Sequence, residues 1–160
     1  MAIEMVDLVN ERDEIVKTVT RAEMRAQHEY MHRATYVVVK NPAGGIWVQR
    51  RTMTKDYCPG MLDACTGGVV TAAEDPDAAA IREVEEEIGI QNAELIKIGK
   101  HLLGGRVFAH IYVMETSGPF VLQESEVVEI VLMEEGDIIS RADEFTPDSV
   151  TAMKIALNIG

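Results

Sequence analysis

Residues Gly68 to Ile90, GVVTAAEDPDAAAIREVEEEIGI, constrain this chain more than any other stretch. Pro76 and Asp77 open a helical composition, the alanine run favours it and Gly89 stops it, so a helix is predicted over 75–88. Ile81, Val84 and Ile88 recur at spacings of three and four and give that helix an apolar side. Glu83, Glu86 and Glu87 recur at the same spacings on another side. Three carboxylates on adjacent turns repel one another and cost helix stability unless something neutralises them. A hard divalent cation such as Mg²⁺ takes oxygen ligands and sits between carboxylates and substrate phosphates. A solvated acidic face is the plain alternative.

The flanking sequence reads as one domain with a short N-terminal extension over 1–31. Ile3 to Thr20 holds two short strands around a polar turn, and Thr20 with Glu23 forms a capping box for a short helix from Arg21. Met24, His28 and Met31 are expected on its packed side. His28 and His32 stand four apart, a spacing that would suit a metal on one helix. No third histidine is near and His32 opens the next strand, so they read as structural or surface residues. Ala34–Lys40 is a strand, Asn41–Gly45 a turn and Ile46–Arg51 a second strand, which together predict a hairpin. Thr66–Val70 reads as a short strand whose glycines permit close backbone approach to a ligand or a tight packing contact. Leu102–Gly105 is expected to be a loop and Arg106–Met114 a two-sided strand. A strand over 127–133 and a final helix from Pro147 complete the pattern.

Arg50, Arg51 and Lys55 make the main positive cluster in a chain of formal net charge −12. Arginine grips phosphate oxygens by a fork and lysine as a point charge. The overall charge argues against a basic surface for extended nucleic acid. No apolar run approaches the roughly 18 residues of a membrane helix, and no signal peptide opens the chain. Cys58 and Cys65 are too few for a disulfide framework. A cytoplasmic location is the default expectation, and a homodimer is left open.

Gly68, Glu74, Arg82, Glu83, Val84, Glu86, Glu87, Gly89 and Ile90 together resemble the signature of the Nudix hydrolases, with no departure at its fixed positions. The resemblance implies an α/β (α+β) Nudix fold, a mixed β-sheet sandwiched between helices, with residues 1–160 as one domain. It implies a metal-dependent hydrolase cleaving the pyrophosphate bond of a nucleoside diphosphate linked to another group, with Mg²⁺ or Mn²⁺ as cofactor. Glu83, Glu86 and Glu87 would be metal ligands. Glu86, Glu87 and Glu126 would be catalytic, and Glu74–Arg82 a structural ion pair. Leu62, Trp47, Phe108 and Tyr112 are candidates for a pocket or for the core.

Segments HRATYVVV, WVQRRTMTKD, PGMLD and DEFTPDS resemble a subgroup close to type I isopentenyl diphosphate isomerase, and more closely its bacterial isomerase-like hydrolases. That likeness implies that Arg51 and Lys55 bind the substrate diphosphate. The isomerase's catalytic cysteine falls on Gly67, and a metal histidine falls on Val69. Its two other functional glutamates have no match, so alkene isomerisation is disfavoured. An isomerase-like enzyme and a non-catalytic nucleotide-binding module are the alternatives.

Overall fold

The computed structural model describes residues 3–160. Two sheets form. Strands β1 (Met5–Val9) and β2 (Ile15–Thr20) pair antiparallel as the N-terminal hairpin. The capping box is present: the Thr20 hydroxyl accepts from the Glu23 N–H at 3.1 Å, and the Glu23 carboxylate accepts from the Thr20 N–H at 3.2 Å. It starts the short helix α1 (Arg21–Ala26), which ends before His28. Met24 is fully buried and joins Val6, Leu8, Val19 and Val69 in a small cluster. That cluster docks the hairpin on the main body, while Ile15 and Val16 stay exposed.

The larger sheet contains β3 (His32–Lys40), β4 (Ile46–Arg51), the two-residue β5 (Leu62–Asp63), β6 (Ile96–Leu103), β7 (Val107–Glu115) and β8 (Val127–Met133). β3 runs parallel to β7 along its whole length, from His32↔Val107 to Lys40↔Glu115. β6 lies antiparallel on the outer side of β7, and β8 lies antiparallel to β4. The sheet is therefore mixed, and a central strand with both faces covered reads as a continuous apolar run, as Tyr36-Val37-Val38-Val39 does.

Helices cover both faces. Val37, Val39, Tyr112 and Met114 pack under Ala80, Val84 and Ile88 of α2 (Pro76–Ile88). Ala34, Tyr36, Val38, Ala109 and Ile111 meet Val150 and Met153 of α4 (Pro147–Ala156), with Ile138 of α3 (Glu135–Ser140) in the same core. This is the mixed sheet between helices expected from the sequence, with its N-terminal β extension. No helix among the described residues is long and apolar enough to cross a membrane.

Three local expectations need correction. The β3–β4 hairpin closes at its turn, Lys40↔Ile46, and then opens. The chain from Leu62 to Val70 fills the gap, pairing first with β4 and then with β3 at Val37↔Thr66 and Ala34↔Val69. Gly67 permits that insertion, since a Cβ there would stand 2.0 Å from the Thr35 carbonyl oxygen. The predicted loop at 102–105 is shorter because β6 continues to Leu103. Ile81 is 41% exposed, so Ala80 completes the α2 apolar face in its place. Of the two readings left open for Leu62, Trp47, Phe108 and Tyr112, the core is the one observed: Leu62 lies in the α4-side core, Trp47 is partly buried edge-on to Phe120, Tyr112 lies under α2, and Phe108 packs against Val9 and Met31.

Candidate active site

Local signals place α2. Asp75 caps it by accepting from the Ala78 N–H at 3.1 Å, Pro76 occupies its first turn, and Gly89 ends it in the left-handed conformation at φ 75°. The loop before the helix is tied back to it. Arg82 Nε donates to Glu74 Oε2 at 2.7 Å and its Nη2 to Glu74 Oε1 at 2.9 Å. These charge-assisted bonds hold the Glu74 carboxyl below the usual carboxylate range.

The three helix glutamates part company in their surroundings. Glu87 is buried at 6% exposure, and Glu83 is turned inward beside Gly68, where a Cβ would lie 3.1 Å from Glu83 Oε1. Burial drives the Glu87 carboxyl well above the carboxylate range, and the neighbouring Glu83 carboxyl adds to the shift. Glu86 stays near the surface and accepts from Arg82 Nη1 at 2.9 Å. Glu83 and Glu87 thus come together while Glu86 stands apart. Among the described residues, no group of three His, Cys, Asp or Glu side chains converges as a ready metal cage. The Glu83–Glu87 pair still fits a hard cation: both donors are oxygens, and a cation beside them would offset the burial that disfavours charge on Glu87.

Lys55 and Asp63 lie near enough to act on Glu87 in opposite senses, Lys55 favouring its charged form. Lys55 Nζ is ion-paired with Glu126, the acid at the start of β8. Arg51 is held from two sides, donating from Nη1 to Asp63 Oδ2 at 3.0 Å and from Nε to the Tyr57 carbonyl at 3.0 Å. Arg50 points elsewhere, to Glu129 and the Gly60 carbonyl.

A cavity of about 510 Å³ runs along this site. Gly67, Gly68, Arg51 and Lys55 form one part of its wall, and Arg21, Arg25, His28, His32 and Arg106 another. Tyr36 and Tyr57 close it toward α4, both donating to Asp148, at 2.6 Å and 2.9 Å. Sequence reading did not assign Arg25, Arg106, Tyr36, Tyr57 or Asp148 to a site. No local spacing connects them, and His28 and His32 were read as structural or surface residues.

Residues 30–153 match the NUDIX domain family. The chain is 46% identical over 155 residues to an uncharacterized Nudix hydrolase, YfcD, of Escherichia coli strain K12, covering 95% of this chain and 86% of that protein. It is 32% identical over 164 residues to the uncharacterized Nudix hydrolase PA4841 of Pseudomonas aeruginosa, covering 97% of this chain and 94% of that one. In fold it is similar to the crystal structure of DR0079 from Deinococcus radiodurans, with a TM-score of 0.79 at 23% identity over 88% of this chain and 89% of that one. It also resembles a C. elegans Ap4A hydrolase binary complex, with a TM-score of 0.56 at 21% identity over 76% of this chain and 92% of that one. On sequence, fold and the intact motif, the chain belongs to the Nudix family.

Proposed function

We propose that this protein hydrolyses the pyrophosphate bond of a nucleoside diphosphate linked to another group, in a reaction that requires Mg²⁺ or Mn²⁺. The observation that carries the reading is the inward-facing Glu83–Glu87 pair beside Gly68, which itself lines a cavity together with Arg51 and Lys55. Water adds to one phosphorus, the bridging P–O bond breaks, and the products are two phosphate monoesters.

Glu83, Glu86 and Glu87 would hold the metal, with Glu86 leaving its Arg82 contact to join the inner pair. A bound Mg²⁺ or Mn²⁺ supplies charge neutralisation on the diphosphate and lowers the pKa of attacking water. Lys55 binds a phosphate oxygen by exchanging its Glu126 partner for substrate. Arg51, fixed by Asp63 and the Tyr57 carbonyl, presents a positioned guanidinium edge to the diphosphate. Glu126, once released from Lys55, is the carboxylate we assign to receiving the water proton. The leaving phosphate departs as an anion at neutral pH and needs no protein acid.

We infer that the likeness to the isomerase subgroup stops at diphosphate binding. Cys65 is buried and its thiol is directed at the Ser149 carbonyl, 3.5 Å away. The test is hydrolysis of a panel of nucleoside diphosphate derivatives, dinucleotides and nucleoside triphosphates with Mg²⁺ or Mn²⁺, run beside Glu87→Gln. Cleavage between the phosphates that Glu87→Gln abolishes supports the assignment. Unchanged turnover in Glu87→Gln overturns it.

A further inference from the structure

The cavity has a second end that the hydrolytic chemistry does not use. Five of the chain's 15 basic side chains line it, although the chain carries a net charge of −12. Three of the five are matched: Arg51 by Asp63, Lys55 by Glu126, and Arg21 by Glu4 and Asp56. The other two are matched weakly or not at all. Arg106 has no carboxylate partner among the described residues and donates only to the Tyr30 carbonyl, at 3.3 Å. Arg25 lies 3.5 Å from Asp56, which Arg21 already holds at 2.8 Å, and otherwise stacks over the Tyr57 ring. Asp148, the nearby acid, is occupied by two tyrosine hydroxyls.

His32 lines the same cavity as both guanidiniums. Its backbone N–H donates to the Arg106 carbonyl at 3.2 Å, which fixes the two residues side by side across β3 and the turn into β7. Its ring lines the cavity at 6% exposure, and its Nδ1 is buried with no hydrogen-bond partner. A buried polar atom without a partner costs about 1–3 kcal/mol. Burial first, and then Arg25, Arg106 and Arg21, hold the imidazole down at about 3, so it is neutral and has one N–H to donate. One guanidinium without a carboxylate partner, a second that only shares Asp56 at 3.5 Å, and an imidazole donor make a site for a compact, doubly charged oxyanion. A phosphate monoester, at about −1.5 to −2 near neutral pH, fits that charge.

We propose that Arg25, Arg106 and His32 bind a phosphate monoester at the far end of the substrate, so that the preferred substrate carries a third phosphate outside the cleaved diphosphate. The inference rests on the hydrolytic reading above. A substrate is favoured over a separate effector because one continuous cavity joins this end to Gly68 and Lys55. Its size lies within the roughly 300–1,000 Å³ of small-molecule sites.

The test uses matched pairs that differ by one phosphate monoester: coenzyme A against dephospho-coenzyme A, and NADP⁺ against NAD⁺. The expected kcat/KM ratio favours the phosphorylated member by about tenfold or more in at least one pair. Arg25→Ala and Arg106→Ala should each collapse that ratio toward one, and Arg106→Lys should keep part of it. A variant that merely weakens the fold lowers both members equally and leaves the ratio intact, which would overturn the assignment.

A second measurement is independent of turnover. Inorganic phosphate at millimolar concentration should shift the ring NMR signal that His32→Asn removes, and the shift should vanish in the Arg25→Ala/Arg106→Ala double variant. Absence of the shift in the wild type would overturn the anion site. A shift without hydrolysis of any compound would bring down the hydrolytic reading and the substrate assignment with it, while supporting the anion site. Hydrolysis with neither preference nor shift would overturn the anion site alone.

Discussion

Glu74 and Arg82 are joined by two parallel bonds, at 2.7 and 2.9 Å, that clamp the loop after Gly68 to the middle of α2. Both side chains are partly sheltered, which lifts the pair above an ordinary surface salt bridge. Glu74→Gln should therefore cost about 1–3 kcal/mol in denaturant unfolding. The pH dependence has a definite sign. The folded-state pKa of Glu74 is depressed, so its contribution is complete above the unfolded glutamate value of about 4.3 and is lost as pH falls through the lower folded value. The wild type and Glu74→Gln should converge in stability on acidification. A gap that stays constant down through that window would show that charge is not what the pair contributes.

Arg82 also holds Glu86 at 2.9 Å and Glu83 at 3.2 Å. It is the counter-charge for two of the three acids on adjacent turns of α2, Glu83 and Glu86. Arg82→Ala should consequently lose stability and also raise the Mg²⁺ concentration needed for half-maximal activity. Unchanged metal dependence would confine Arg82 to the loop clamp.

Glu87 offers a separation of activity from stability. Its carboxyl is buried, and keeping charge there without a cation is costly. Glu87→Gln should melt at or above the wild-type temperature in chelator while losing about 100-fold or more in kcat. Saturating Mg²⁺ should stabilise the wild type, by about 2.7 kcal/mol at a hundred times its Kd. The variant should gain much less. A variant less stable than wild type in chelator would mean that Glu87 holds the fold in its own right.

Much of this was legible because it is local. Pro76, the alanine run and Gly89 specify α2 from a dozen neighbouring residues, with Asp75, read as its first residue, serving as its cap, and the Thr20–Glu23 box does the same for α1. The β3–β4 hairpin was half legible. Its turn residues do what turn residues do, but nothing local reports that residues 62–70 come back to separate the two strands. The cationic end of the cavity was illegible for a related reason. His32 and Arg106 meet only through the parallel pairing of β3 with β7, a long-range register that no periodicity within either strand encodes. Trp47, Phe108 and Tyr112 show the converse, since aromatic residues near a motif suggest a pocket until the sheet assigns each one a face.

Gly67 tests the inserted segment directly. A methyl group there would lie 2.0 Å from the Thr35 carbonyl oxygen, in backbone that has no room to yield. Gly67→Ala should cost about 1–3 kcal/mol or more and disturb the adjacent Gly68–Glu83 contact, so activity should fall with stability. Gly104→Ala is the control. Its φ is 57°, but nothing stands within 4 Å, so it should cost only about 1 kcal/mol through backbone conformation. Equal effects at the two positions would mean that conformation, not packing, selects Gly67.

Lys55 and Glu126 pose the sharpest question about catalysis, because one contact serves two explanations. If Glu126 only neutralises Lys55 in the free protein, Glu126→Gln releases the ammonium for substrate, so KM falls and kcat stays. If Glu126 also takes the water proton, as we assign, kcat falls by about 10²–10⁴-fold, the usual worth of general-base catalysis. Lys55→Ala separates the roles from the other side. It removes the phosphate contact and should raise KM by about tenfold or more, with an attenuated dependence on ionic strength. In the double variant the Lys55→Ala effect on KM should persist, while the Glu126→Gln effect on kcat should remain at full size, because the proton acceptor acts on water and not through Lys55. A Glu126→Gln penalty that disappears once Lys55 is gone would reduce Glu126 to a counter-ion and leave the base to be found among Glu86 and Glu87.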